Sequence, residues 1–223
     1  MPPLQLLVGL CLGAVLGYLA WLTARFFIAN YTASNETSTA AATSSRFPAI
    51  SGMLFAVGMA FWGGYVAWRA TDPRIMVDAL VVTALFLVVV LVDYAVHRIP
   101  NKVVIALLIW AIVQMLWLGQ PTLRSMLIGT ALGGIVFLLL AIIGRGALGM
   151  GDVKFVAAEG AILGYPLILH GMFWGIMFGG LTAALLLITK RAGRKDSFAY
   201  GPYLALGAWL IFLGMINLLP WQH

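Results

Sequence analysis

Residues 78–101 read DALVVTALFLVVVLVDYAVHRIPN. From Ala79 to Val92 only Thr83 interrupts the apolar side chains, a run of about four helical turns. Asp93 is the first strongly polar side chain after it, and Pro100 supplies a helix stop. With the residues before it, the stretch predicts a helix over 75–96, long enough to cross a bilayer. A carboxylate near one end of such a helix is costly and marks a functional position.

The rest of the chain follows the same rule. Of 223 residues, 63% are hydrophobic and only 9% charged, with a mean hydropathy of +1.03. Soluble domains carry roughly 45–50% apolar and about 25% charged residues, so a water-soluble fold is excluded, and a disordered chain is excluded with it. The apolar runs are continuous rather than alternating, which excludes a β-barrel. Eight runs stand out, at 4–28, 50–68, 75–96, 103–119, 123–143, 153–165, 167–189 and 201–219. The expectation is an all-α polytopic membrane protein of about eight transmembrane helices, forming a single integral-membrane domain over 1–223. The sixth run is short for a span. Residues 29–49 are rich in Ser, Thr and Ala and are expected to be a flexible cytoplasmic connector.

The first run lacks a basic residue before it and a small-residue cleavage site after it, and reads as an uncleaved helix. With the N-terminus outside and eight alternating spans, the basic residues divide ten to three. Arg25, Arg46, Arg98, Lys102, Arg145, Lys154, Lys190, Arg191, Arg194 and Lys195 fall inside, and Arg69, Arg74 and Arg124 outside. That bias supports the orientation, with both termini periplasmic. The net charge of +6 therefore belongs to membrane topology and not to nucleic-acid binding, since the basic residues sit at helix ends. Membrane lipid is the expected surrounding. Cys11 is the single cysteine, and the three histidines are scattered without acidic partners, so no metal site is expected.

Seven acidic residues can be weighed one by one. Glu36, Asp72 and Asp196 fall in loops or the connector, and Asp78 lies one turn into the third span. Asp93, Asp152 and Glu159 remain, on the cytoplasmic half. For Asp93 a structural reading is an ion pair with His97 or Arg98. Asp152 follows the glycine-rich GRGALGMG, 144–151, and precedes an apolar helix, so a structural reading is an N-cap. A phosphate loop lacks its Gly-Lys-Ser/Thr signature here. The functional reading is an aspartyl pair. Two carboxylates at one depth can share a proton, the protonated one acting as acid and the other as base toward water. Asp93 lies toward a helix C-terminus and Asp152 at a helix start, so the helix dipoles favour the proton on Asp93 and the charge on Asp152. Lys154 adds a positive charge near Asp152, and Arg145 is a second candidate.

Three blocks resemble the type IV prepilin peptidase family, in the family's order. ALGMGDVKF, 147–155, with AAEGAILG downstream, resembles its GxGD motif. LVDYAVHRIPNKV, 91–103, resembles its first aspartate segment, and FAYGPYLALGAW, 198–209, the segment before its last helix. The resemblance implies the architecture of a GxGD-type intramembrane aspartyl protease in a bacterial inner membrane. It implies removal of the leader of type IV prepilins or type II secretion pseudopilins at the cytoplasmic face, after a Gly. Asp93 and Asp152 are then the catalytic pair, Gly149 and Gly151 the motif glycines, Lys154 the basic residue after the motif, and Pro100 and Asn101 supporting positions.

Larger members carry paired Cys-x-x-Cys motifs between their first two helices and also N-methylate the new terminus. Residues 29–49 contain no cysteine, so a peptidase without methyl transfer is expected. No cofactor is expected, and S-adenosylmethionine would enter only if methyl transfer were retained. Glu159 stands where the family pattern leads one to expect a small or apolar residue, and it is not assigned to catalysis. The competing class is a secondary transporter using buried carboxylates. A transporter should place its acids at the midplane and show a repeat between halves, and neither is visible.

Overall fold

A computed structural model describes residues 3–34, 49–144, 148–189, 199–216 and 218. The described residues are all helical or in short connections, with no strand. Eight helices follow in order: α1 (Pro3–Ser34), α2 (Ala49–Arg69), α3 (Pro73–Val96), α4 (Asn101–Leu118), α5 (Leu123–Ile143), α6 (Met150–Leu163), α7 (Leu167–Ile188) and α8 (Gly201–Met215). Each coincides with one of the apolar runs. By length and composition five of them can cross a membrane: α1, α3, α4, α5 and α7. At about 1.5 Å per residue, the 14 residues of α6 and the 15 of α8 fall short of a hydrocarbon core about 30 Å thick. The expected span to 219 therefore ends at Met215.

Two boundaries correct the sequence reading. Residues 29–34 are not connector but the last turns of α1, because Ala and Tyr side chains sustain a helix before the Ser/Thr run takes over. The remainder of the expected connector, 35–48, lies outside the described residues, as do Arg145 and 190–195. The sixth run starts at Met150 rather than 153, so Asp152 lies inside the first turn of α6.

The contacts group the chain into two compact units: Met1–Val96 with Ile216–His223, and His97–Met215. In the first, α1 lies antiparallel to α2. Gly9, Gly13 and Gly17 recur every fourth residue and face Gly63, Met59 and Phe55 in turn, the small-residue spacing that lets membrane helices approach closely. The Tyr65 hydroxyl donates to the Leu218 carbonyl at 2.8 Å, fixing the returning C-terminal segment within this unit.

In the second unit, α5 and α6 run antiparallel, with Ser125 beside Gly164, Gly129 beside Gly160 and Gly133 beside Val156. A Cβ on Gly129 would run into the Gly160 carbonyl, so only glycine permits this crossing. Helices α7 and α8 are likewise antiparallel, pairing Gly171 with Ala208, Gly175 with Leu204 and Gly179 with Tyr200. Helix α4 packs on α6 through a buried stripe, Val103, Val104, Leu107, Ala111 and Gln114. Helix α6 is the centre of this unit: from Phe155 to Leu163 only Ala157 is not buried.

Candidate active site

The GxGD segment forms the first turn of α6. Gly149 is the N-cap, with φ −76° and ψ 151°, and its carbonyl accepts from the amides of Asp152 at 3.0 Å and Val153 at 3.4 Å. Asp152 is therefore not the N-cap but the third residue of the helix. Its side chain reaches back, and its Oδ2 accepts the Gly149 N–H at 3.0 Å. This is the carboxylate half of a capping box. It fixes one oxygen against the backbone at the positive end of the helix dipole.

The motif glycines have room around them in this unit. A Cβ at Gly149 would lie 3.4 Å from Asp152 Oδ2, and one at Gly151 would lie 3.4 Å from the Ile99 Cβ. Packing alone thus does not demand glycine at either position. Gly151 faces the segment that begins α4. There Pro100 is the N-cap, with φ −65° and ψ 132°, and its carbonyl accepts from Val103 at 3.0 Å and Val104 at 3.3 Å. Asn101 opens the helix, and its side-chain carbonyl accepts a hydrogen bond from Lys154 Nζ at 3.2 Å. The structure thus brings Pro100, Asn101, Gly149, Gly151, Asp152 and Lys154 to one end of the second unit.

Asp93 belongs to the first unit. It lies in the last turn of α3, which ends at Val96 as the sequence predicts, and is 4% exposed. The helix stops at Val96 because His97 takes φ 51°, a left-handed conformation that closes a helix. His97 therefore turns the chain out of the helix.

Glu159, two turns after Asp152, is wholly buried, and neither carboxylate oxygen has a hydrogen-bond partner among the described residues. Gln114 is buried in the same unit, also with both amide atoms unpartnered. The sequence offered no signal for Gln114 beyond its being a polar residue in an apolar run. Tyr200 was also missed as a site residue, although the block that resembles the family's last segment contains it. Its hydroxyl is pushed above the usual tyrosine range, first by burial and then by the negative charge of Asp152. Among the described residues no three His, Cys, Asp or Glu side chains gather as a metal-ligating group.

A model of the type IV leader peptidase family matches residues 80–184, a segment that contains both Asp93 and Asp152. Over these residues, a little under half of its length, the chain is similar to the type IV leader peptidase family. Its relatives include proteins named prepilin leader peptidase/N-methyltransferase from Bacillus subtilis, 27% identical over 60% of this chain, and Neisseria gonorrhoeae, 29% identical over 76%. Another from Pseudomonas aeruginosa is 25% identical over 78%. The matched regions cover 54%, 58% and 60% of those three proteins, so the chain spans less than two thirds of their length. No solved structure matches the chain significantly. Family and apolar helices together make this a multi-pass membrane protein.

Proposed function

We propose that this protein is an aspartic endopeptidase that removes the leader of type IV prepilins or type II secretion pseudopilins. It cuts after a Gly at the cytoplasmic face of a bacterial inner membrane. The observation that carries the reading is the family match over 80–184, which spans both aspartates. Asp152, its Oδ2 tied to the Gly149 amide, orients a water through its other oxygen and takes the water's proton. The hydroxide oxygen bonds to the scissile carbonyl carbon while Asp93 gives its proton to the carbonyl oxygen. As the tetrahedral diol collapses, the C–N bond breaks and the proton on Asp152 passes to the leaving nitrogen. A hydroxyl proton returns to Asp93. Gly149, Gly151, Pro100, Asn101 and Lys154 hold the turn that presents Asp152.

Peptidase activity without methyl transfer is favoured, because this chain has one cysteine and cannot form paired Cys-x-x-Cys sites. The enzyme then uses no cofactor, S-adenosylmethionine included. The relatives offer no support for the transporter alternative. Co-expression with a prepilin, read as the shortened product on a gel, tests the proposal. Asp93→Asn and Asp152→Asn should each abolish processing while the protein remains inserted. Near wild-type cleavage by either variant sinks the aspartyl mechanism, and mass spectrometry of the product should show an unmethylated N-terminus.

A further inference from the structure

The turn 157–161 of α6 reads AAEGA, so Glu159 is the only side chain there larger than a methyl group. It is wholly buried, and neither carboxyl oxygen has a hydrogen-bond partner among the described residues. An isolated buried charge costs far more than a neutral acid, so the group is held as a carboxylic acid, able both to donate and to accept. Glu159 follows Asp152 by seven residues, or two helical turns. That puts the two on the same face of α6, about 10 Å apart along the axis. Helical side chains lean toward the N-terminus, so the Glu159 carboxyl leans back toward the Asp152 end. That end is the open one: Gly151 and Asp152 are half-buried and Lys154 is exposed, whereas every residue from Ala158 to Gly164 is buried.

We infer that Glu159 is a water-binding residue: beside the bare AAEGA turn, on the face of α6 that presents Asp152, it holds internal water that feeds the hydrolysis. The inference rests on the proposed role of Asp152 as base. Buried polar groups nearly always have a partner, and where the protein supplies none the partner is ordered water. A buried water needs polar neighbours and room. The carboxyl supplies the first, and a turn of methyl groups and one bare Cα leaves the second. The helix carbonyls of that turn, little covered by side chains, each keep a second lone pair for such a water. A metal ion fits less well, since no three His, Cys, Asp or Glu side chains gather among the described residues. Each cut consumes one water, and after Asp152 the only polar side chains on α6 are Lys154 and Glu159. Lys154 is turned to Asn101, which leaves Glu159 as the group that can hold water on the buried side of the base.

The test uses the full chain in detergent and a synthetic peptide joining a type IV prepilin leader to its first mature residues. Glu159→Leu removes the hydrogen-bonding group and should fold at least as stably as wild type, because it relieves a buried polar group. A loss of activity in it then cannot come from unfolding. It should lower kcat about three- to tenfold, the worth of one hydrogen bond, with KM unchanged. Glu159→Gln keeps a donor and an acceptor and should stay within about twofold of wild type. A second readout needs no substrate. The carboxylic acid band that Glu159→Gln removes from the infrared spectrum should shift promptly when the folded protein is moved into heavy water, because bound water carries deuterium to the group. A band that stays unshifted overturns the inference, as does wild-type kcat in Glu159→Leu. Asp152→Asn separates the two readings. If it is inactive and the Glu159 band does not exchange, only the water site fails. If it still cleaves while the band exchanges, the assignment of Asp152 as base fails and the water site stands.

Discussion

Lys154 and Asn101 are joined across two helices: the ammonium donates to the asparagine side-chain carbonyl at 3.2 Å. One residue follows the GxGD turn and the other follows the Ile-Pro of the first aspartate segment. The bond thus ties together, within the second unit, two sequence blocks that first drew attention separately. Both side chains are exposed, so its worth is modest, about 0.5–1 kcal/mol. A double-mutant cycle of Lys154→Met and Asn101→Ala, read by thermal unfolding in detergent, should give a coupling of that size. Additive effects would mean that the pair does not hold the two helix starts together.

Glu159 should be a burden on stability. Its carboxylate is fully buried, with neither oxygen hydrogen-bonded among the described residues, and such burial costs free energy that an apolar side chain avoids. Glu159→Leu should therefore raise the unfolding midpoint, by the equivalent of about 1–3 kcal/mol, and leave leader cleavage clearly measurable. A lowered midpoint would mean that the carboxylate is satisfied by a group outside the described residues.

Two alanine substitutions of helical glycines should have opposite signs. At Gly129 the added methyl meets the Gly160 carbonyl, and backbone must shift to accept it. Gly129→Ala should cost about 1–3 kcal/mol, the range for overpacking. At Gly180 nothing lies within 4 Å of the added Cβ, so Gly180→Ala should gain about 0.5–1 kcal/mol from helix propensity alone. Equal effects in unfolding experiments would refute the close α5–α6 crossing.

The motif glycines give a sharper separation of folding from function. A Cβ on Gly151 finds ordinary contact distances to Ile99. Gly151→Ala should therefore unfold within about 1 kcal/mol of wild type. If the bare backbone beside Asp152 is needed for a substrate chain to approach, cleavage should nevertheless fall at least tenfold. Full activity would assign the glycine no role in substrate approach.

The helices were legible because a bilayer leaves few alternatives: each apolar run became a helix close to its expected limits. Their ends were less so. Ser34 closes α1 beyond the expected end because a helix already formed extends residue by residue into the Ala- and Tyr-containing sequence that follows. Met150 opens α6 earlier because Gly149, without a capping side chain, serves as N-cap while Asp152 caps from within. Asp and Gly both favour helix starts, and composition cannot say which of them takes the cap. The two aspartates and the supporting residues were assigned from motif order, whereas the burial of Glu159 and the packing of Tyr200 on Gly179 depend on packing that no spacing encodes.

The two aspartates should differ in which one holds the proton. Asp93 is in the last turn of α3, where the carbonyl ends of the helix oppose a negative charge. Asp152 is in the first turn of α6, where the dipole and the Gly149 amide favour one, and the Lys154 side chain adds a positive charge on the same turn. If the two share a proton as proposed, the dominant state has Asp93 neutral and Asp152 ionised. Because a coupled pair titrates as a unit, the prediction concerns that state and not two separate titrations. Difference infrared spectroscopy near neutral pH should show a protonated-carboxyl band that disappears in Asp93→Asn. Glu159→Gln must be recorded beside it, since a buried glutamic acid contributes its own band. Loss of the shared band in Asp152→Asn alone would put the proton on the other carboxylate and reverse the assignment of acid and base.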